Sequence, residues 1–182
     1  MKYLSLFAIP LLLLSGCFSG YRQTVVMDLE TLEPAAPEKM PSARIGVIRN
    51  NSGAGLPVVI RQQDGLVETD KYARWLMSPD QMLERELHRT LNATDAPAVR
   101  LNGNVLTCEF EQAKQQAVLE VSFEARKGKV FKHIKKRFTA AVTLSRGASS
   151  RKQAAAMASA MSSCFHQAGV AAAELIREIN KE

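Results

Sequence analysis

The sequence has few of the residues from which catalytic and metal sites are usually built. Its 182 residues include three histidines and three cysteines, and none of them has the spacing of a zinc site. No serine lies in a nucleophile elbow, and no glycine-rich stretch is followed by the lysine of a phosphate-binding loop. Asp64, Glu68 and Asp70 lack the pattern of a calcium loop and fit a solvated loop instead. The sequence therefore predicts a protein that is not an enzyme and that carries no cofactor and no metal.

The sequence also lacks an apolar run long enough to cross a membrane. Residues 4–14 form a mainly apolar stretch of 11 residues, whereas a membrane-spanning helix needs about 20. Lys2 precedes this stretch, and the small residues Ser15 and Gly16 follow it. This order is typical of a secretory signal peptide. Residues 1–16 are therefore predicted to be removed from the mature protein.

The end of the signal peptide, Leu14-Ser15-Gly16-Cys17, resembles the bacterial lipobox. In that motif the cysteine thiol receives a diacylglycerol, and the new amino terminus is acylated, for example with palmitate. Two or more acyl chains anchor a protein stably, whereas one holds it only marginally. Phe18 follows Cys17 where an Asp usually retains Gram-negative lipoproteins in the inner membrane, so the predicted location is the outer membrane, facing the periplasm. The alternative is an ordinary secretory signal with a chance cysteine.

The mature chain, residues 17–182, is predicted to form one domain with a short tail. Its 166 residues are enough to bury a real core. Loss of Lys2 with the signal leaves 23 basic and 18 acidic residues, a net charge of +5. A modest positive excess suits association with anionic surfaces, and export from the cell argues against a nucleic-acid partner.

Two cysteines remain besides the predicted anchor. Cys108 lies in a strand-like stretch and Cys164 in a helix-like stretch. An oxidising periplasm permits a disulfide between them. Both fit equally well as buried free thiols that pack as small apolar groups, and the sequence leaves the two alternatives open.

The first part of the mature chain is predicted to be an extended linker. Pro34, Pro37 and Pro41 interrupt regular structure. Residues 17–42 would hold the lipidated cysteine, a short strand within residues 21–29 and a spacer that lets the domain stand off the membrane. The domain itself is predicted to cover residues 43–182.

Hydrophobic periodicity predicts the elements of this domain. Strands are expected at residues 43–49, 56–61, 66–69 and 99–110, the last with a bulge at Gly103. Ser78 is a strong N-cap for a helix over residues 79–92. Ser78, Pro79, Asp80 and Gln81 predict the capped start of the helix. Its apolar stripe is formed by Leu83, Leu87 and Leu91.

The last third of the chain predicts a hairpin and a long helix. Alternation over residues 117–126 and 130–144 is typical of a long antiparallel hairpin. An alanine-rich helix follows over residues 150–180, and Gly169 is expected to kink or split it. The predicted fold class is therefore α+β, with two helices packed on a mostly antiparallel sheet in two layers.

The densest positive charge lies at the hairpin turn and along its returning strand. Seven of the twelve residues from 126 to 137 are Lys or Arg. One interpretation is an edge strand that lysines protect against aggregation. The other is a contact for anionic lipid headgroups or an acidic partner. The residues that would make this contact are Lys129, Lys132, Lys135, Lys136 and Arg137.

An aromatic pair precedes the capped helix. Tyr72 and Trp75 would ordinarily pack in the core beneath the helix start. The alternative makes Trp75 an exposed residue at the centre of a partner interface.

Together these features resemble the ABC-type transport auxiliary lipoproteins, which include the paraquat-inducible protein C type. The resemblance rests on the lipobox, the proline-rich linker, the first strands, Tyr72-x-x-Trp75 with Ser78-Pro79, and the alanine-rich terminal helix. It implies an accessory subunit of a lipid transport system, anchored in the outer membrane, that acts by partner binding. The implied partner is a mammalian-cell-entry domain protein that bridges the periplasm, and the family makes a homo-oligomeric ring plausible. Here the loop before Val58 is richer in glycine than the family pattern.

Two other functions, and a direct lipid carrier as a variant of the transport role, compete with this interpretation. An envelope-assembly or scaffold lipoprotein would share the anchor and fold but lack a transport partner. A direct lipid carrier would need an apolar cavity between helices and sheet. A periplasmic hydrolase is disfavoured, because no nucleophile, base and orienting residue can be nominated.

Overall fold

The computed structural model describes residues 24–30, 40–93, 99–143 and 149–182. Two helices and eight strands occur in this part of the chain. In chain order they are β1 (Val25–Met27), β2 (Ser42–Asn50), β3 (Pro57–Arg61), β4 (Val67–Trp75), α1 (Pro79–Thr90), β5 (Asn92–Ala93), β6 (Val99–Glu111), β7 (Gln116–Lys127), β8 (Val130–Ala141) and α2 (Ser150–Asn180).

The strands form one mixed sheet, and the α+β class is confirmed. On one side of β6 lie β7 and then β8, both antiparallel to their neighbours. The other side of the long strand β6 pairs in parallel with β2 along its first half and with β3 at its end. The pairs β1–β4 and β2–β5 are also parallel, while β3–β4 is antiparallel. The prediction of a mostly antiparallel sheet was therefore wrong, because β1, β2 and β3 join partners far along the chain.

The central strands bury alternate side chains against the helices. Leu101 and Val105 of β6, and Leu119, Val121 and Phe123 of β7, are fully buried. Their intervening neighbours point to the opposite face of the sheet, as a period of two requires. A register shift lies between Val105 and Thr107, so the predicted bulge of β6 against β7 falls beyond Gly103.

Helix α1 begins as its sequence predicts. Ser78 is the N-cap, Pro79 opens the first turn, and Gln81 Oε1 accepts a hydrogen bond from the Ser78 backbone N–H at 3.1 Å. The stripe of leucines at Leu83 and Leu87 is fully buried.

Helix α2 is continuous through Gly169, so the predicted kink is absent. A Cβ atom at this position would lie 2.7 Å from Thr90 Cγ2 and 3.2 Å from Glu86 Cγ, both on α1. Glycine is therefore required here because the two helices approach closely. From sequence alone, a glycine with this role cannot be distinguished from one that kinks a helix.

The segment of residues 24–30 belongs to the folded body. Strand β1 pairs with β4, and Met27 and Leu29 are buried in the core. Arg85 of α1 donates two hydrogen bonds to the Asp28 carboxylate, at 2.7 and 3.1 Å. The expected short strand is thus present, and most of the proline-rich linker, residues 31–39, lies outside the described residues. As predicted, this linker follows the short strand in the chain and precedes β2.

The turns of the sheet mark its two ends. Arg61 at the end of β3 pairs with Glu111 at the end of β6, so the turns at residues 62–66 and 112–115 lie side by side. Cys164 of α2 lies beside Ala117, just after the second of these turns. Helix α2 begins at Ser150, 14 residues before Cys164, so its start lies at the same end. These two turns and the start of α2 define the proximal end.

The turn between β7 and β8 lies at the opposite end of the molecule. There Lys127 Nζ donates to the carbonyl oxygens of Ile179 and Asn180, at 3.5 and 3.3 Å, at the end of α2. Helix α2 has 31 residues, so it runs about 46 Å along the sheet. Residues 127–132, which comprise this turn and the start of β8, define the distal hairpin, whereas the other end of β8 pairs with Gln116 at the proximal end.

Candidate functional site

The predicted lipid attachment residue, Cys17, lies outside the described residues. Only eight residues along the chain separate it from Val25, the first residue of β1. Eight extended residues span at most about 29 Å. A lipid on Cys17 would therefore hold the proximal end close to a membrane and the distal hairpin far from it.

The basic cluster predicted from sequence begins on the distal hairpin and continues along β8 to Arg137, which contacts Glu111 at the end of β6. Strand β8 pairs with β7 and forms the edge of the sheet in the part of the chain that the structure describes. Its twelve residues include the lysines that edge strands commonly carry to prevent aggregation. The protective role is thus compatible with its position.

Acidic neighbours partner most of this basic cluster. Lys132 Nζ lies 2.7 Å from Glu182 Oε1, and Lys136 Nζ lies 3.7 Å from Glu174 Oε2, both within the terminal helix and its end. On the other face of the sheet the same holds for two more residues: Lys135 lies 2.6 Å from Glu120, and Arg137 contacts Glu111. Within the described residues Lys129 has no such partner. The net positive field of the hairpin is therefore smaller than the sequence indicates.

The apolar residues interleaved with the basic cluster differ in their exposure. The Phe131 side chain is 60% exposed beside Lys129. On β8 it points away from the helices, opposite Arg126 of β7. Alternation along β8 contains this signal, because Phe131 is out of phase with the core-facing Val130, Ile134 and Phe138. An exposed aromatic residue among basic side chains is a composition that partner interfaces favour.

Trp75 does not contribute to a surface. Its side chain is 3% exposed and stacks on Phe110 with a ring-centroid distance of 6.2 Å. Trp75 ends β4 on the side of the sheet that faces the core, so partner contact through it is excluded in this fold. The core alternative is the one that the structure shows.

Cys108 and Cys164 are free thiols in the structure. Burial raises the pKa of each thiol to about 12. Cys108 Sγ lies 3.9 Å from Met161 Sδ, and Cys164 Sγ lies 3.8 Å from the Ala117 carbonyl oxygen. Both side chains pack as small apolar groups between α2 and the sheet.

A polar groove lies on the sheet face away from the helices. It measures about 320 Å³, and its lining includes Arg49, Arg100, Asn104 and Glu124. Asn104 Oδ1 is buried without a hydrogen-bond partner among the described residues. Polar residues at alternate positions of β6 gave no sign of this groove, because a solvated sheet face produces the same pattern.

The described residues contain no cluster of His, Cys, Asp and Glu that could hold a metal ion. The acidic side chains at residues 64–70 instead stabilise their own backbone turns. Asp64 Oδ1 accepts from the Leu66 N–H, and Asp70 Oδ1 accepts from the Tyr72 N–H. Among residues 24–30, 40–93, 99–143 and 149–182, no helix is both long and apolar enough to span a membrane.

Comparison with known proteins bears on the fold. No family model matches the chain, and no curated protein matches it in sequence. A crystal structure of an uncharacterized protein is similar over 86% of this chain and 99% of its own, with a TM-score of 0.62 and 11% identity. A Xanthomonas campestris protein of the DUF330 family is similar over 86% of this chain and 98% of its own, with a TM-score of 0.60 and 15% identity. At these identities the chain shares the fold of both proteins along nearly their whole length.

Proposed function

We propose that this protein is a lipoprotein anchored through Cys17 in the outer membrane, where it acts by binding a partner in the periplasm. The partner would be the mammalian-cell-entry domain protein of an ABC-type lipid transport system, and the chain would be its accessory subunit. Catalysis has no part in this role. The resemblance of the lipobox, the capped helix and the alanine-rich helix to the auxiliary lipoproteins supports the proposal.

The observation that carries the proposal is the placement of the distal hairpin. Chain length ties Cys17 to the proximal end, and α2 separates the distal hairpin from that end by about 46 Å. With the proximal end held near the membrane, the basic and aromatic surface around Lys129 and Phe131 would extend away from it. A partner that bridges the periplasm would approach from this side, whereas lipid headgroups would not. The anionic-lipid alternative for the basic cluster is accordingly the weaker one.

The experiment is an affinity pull-down of the acylated protein from detergent-solubilised envelope. We expect a mammalian-cell-entry domain protein to co-purify with the wild-type chain. Phe131→Ala combined with Lys129→Glu should reduce its recovery, because both side chains are exposed and neither is needed for packing. A matched control is Lys152→Glu, which changes the same charge at an exposed position near the proximal end.

Further results test the lipid anchor and distinguish the transport accessory from the envelope scaffold. Cys17→Ala should abolish co-sedimentation with membranes. Recovery of the wild-type chain with cell-wall components in place of a transport protein would favour the envelope scaffold. Equal recovery by the distal double variant and the proximal control would refute the assignment of the docking surface.

A further inference from the structure

Apolar side chains are exposed at the proximal end. Leu66 at the end of the β3–β4 turn and Val67 at the start of β4 are 62% and 51% exposed, and Tyr72 farther along β4 is 43% exposed. Asp64 Oδ1 accepts the Leu66 N–H at 3.0 Å, and Gly65 has a φ of 86°. The turn is therefore held in a fixed shape that presents Leu66 to the outside, since only glycine adopts such a φ without strain.

The length of chain before β1 indicates what lies against this turn. Strand β1 runs parallel to β4, with Val25 paired to Ala73, so the chain reaches β1 from the side of the β3–β4 turn. Val67 lies six residues before Ala73, about 20 Å along the strand. Eight residues from Cys17 to Val25 reach at most about 29 Å. A membrane that holds Cys17 thus lies little farther from β1 than the turn itself.

We infer that the β3–β4 turn is a membrane-contact loop, in which Leu66 and Val67 insert among the phospholipids that hold the anchor. This inference rests on the lipid anchor of the proposed function. The exposed Arg151 lies at the same end and suits phosphate headgroups, whereas Lys114 is paired with Glu111 at 2.8 Å. Because the anchor already confines the turn to the membrane surface, a patch of two apolar side chains is enough to hold it there.

The contact fixes the orientation of the protein on the membrane. In this orientation the β3–β4 turn contacts the membrane, and the distal hairpin projects away from the lipid. A chain tethered only by its lipid would keep the proximal end near the membrane but would tilt over the range that its short tail allows.

The inference is tested with a fluorescent label on the acylated protein in vesicles of phosphatidylethanolamine and phosphatidylglycerol. Leu66→Cys and, at the opposite end, Lys129→Cys are each labelled with an environment-sensitive dye. Cys17 is blocked by its lipid, and burial protects Cys108 and Cys164, so the unsubstituted protein serves as the labelling control. We expect a blue-shifted emission and quenching by nitroxide-bearing lipids at position 66, and neither effect at position 129.

The outcomes separate this inference from the proposed function. A vesicle-bound protein whose label at position 66 stays in water, or is quenched no more than the label at position 129, refutes the membrane-contact loop alone. A protein that does not float with vesicles and whose Cys17 reacts with the dye refutes the anchor and the inference together. Insertion of a ten-residue Gly/Ser segment after Phe18 should weaken quenching at position 66 while flotation is unchanged.

Discussion

At the scale of single residues, Gly169 shows how closely the two helices approach. Gly169→Ala would raise helix propensity, which by itself stabilises by about 1 kcal/mol. The added Cβ would, however, lie 2.7 Å from Thr90 Cγ2 and 2.9 Å from Thr90 Oγ1. We expect the collision to dominate and the free energy of unfolding in urea to fall by about 1–3 kcal/mol.

The partner residue provides the control for this prediction. Thr90→Ala removes the two atoms that lie nearest to the new Cβ and leaves Glu86 Cγ at 3.2 Å, so the double variant should recover part of the loss. A double-mutant cycle measures this coupling. If Gly169→Ala stabilises the protein in urea, the glycine is not required for helix contact.

The two buried cysteines lead to a prediction about thiol reactivity. With each pKa raised to about 12 by burial, Cys108 and Cys164 should resist a thiol reagent at pH 8 in the folded protein, because the thiolate is the reactive form. Both should react fully once the protein is unfolded without reductant. Labelling that appears only after reduction would instead reveal a disulfide between them.

At the scale of elements, strand β1 depends on the Asp28–Arg85 pair for part of its attachment. The hydrogen-bonded Arg85 guanidinium holds the pKa of the Asp28 carboxyl below its ordinary value of 3.8. The pair therefore stabilises the fold above about pH 4, and this contribution is lost as the pH falls through the lowered pKa. The Arg85 side chain is 34% exposed and that of Asp28 is 41% exposed. We therefore expect the pair to contribute less than about 1 kcal/mol to the free energy of unfolding at neutral pH.

Asp28→Asn tests this pair. The free energy of unfolding of the variant should lie slightly below that of the wild type at pH 7, and the difference should shrink below pH 4. Glu84→Gln, on the same helix and exposed, is the control. A difference that does not change with pH would mean that Asp28 acts through its shape or its hydrogen bond to the Leu29 N–H and not through its charge.

Helices and hairpins were predictable at this scale because their signals are local. The cap at Ser78 and the periodicity of α2 lie in neighbouring residues, and the predicted bounds of α2 agree with Ser150–Asn180. The parallel pairs were not predictable in this way. Nothing near Val25 in sequence identifies Ala73 as its partner, since a parallel pair forms across intervening elements and is stabilised by core packing.

At the scale of the whole molecule, the sequence identified the basic residues along β8 but not the ion pairs that they form. Lys132 and Lys136 were visible as a basic cluster, but their partners Glu182 and Glu174 lie 50 and 38 residues later and meet them only through the packing of α2 on β8. Exposure of Phe131 follows from the same packing. The proximal and distal ends could not be identified from the sequence, because they depend on which strands pair and therefore on which turns lie side by side.

The attachment of β1 has a mechanical consequence. Any tension between the membrane and a partner on the distal hairpin would enter the fold at Val25 and act along the axis of β1. Force along a strand loads its hydrogen bonds to β4 in shear, so they must fail together. The buried Met27 and the Asp28–Arg85 pair add resistance just behind them. If Cys17 carries the proposed lipid, a strand of three residues would transmit a pull on the anchor to the whole sheet.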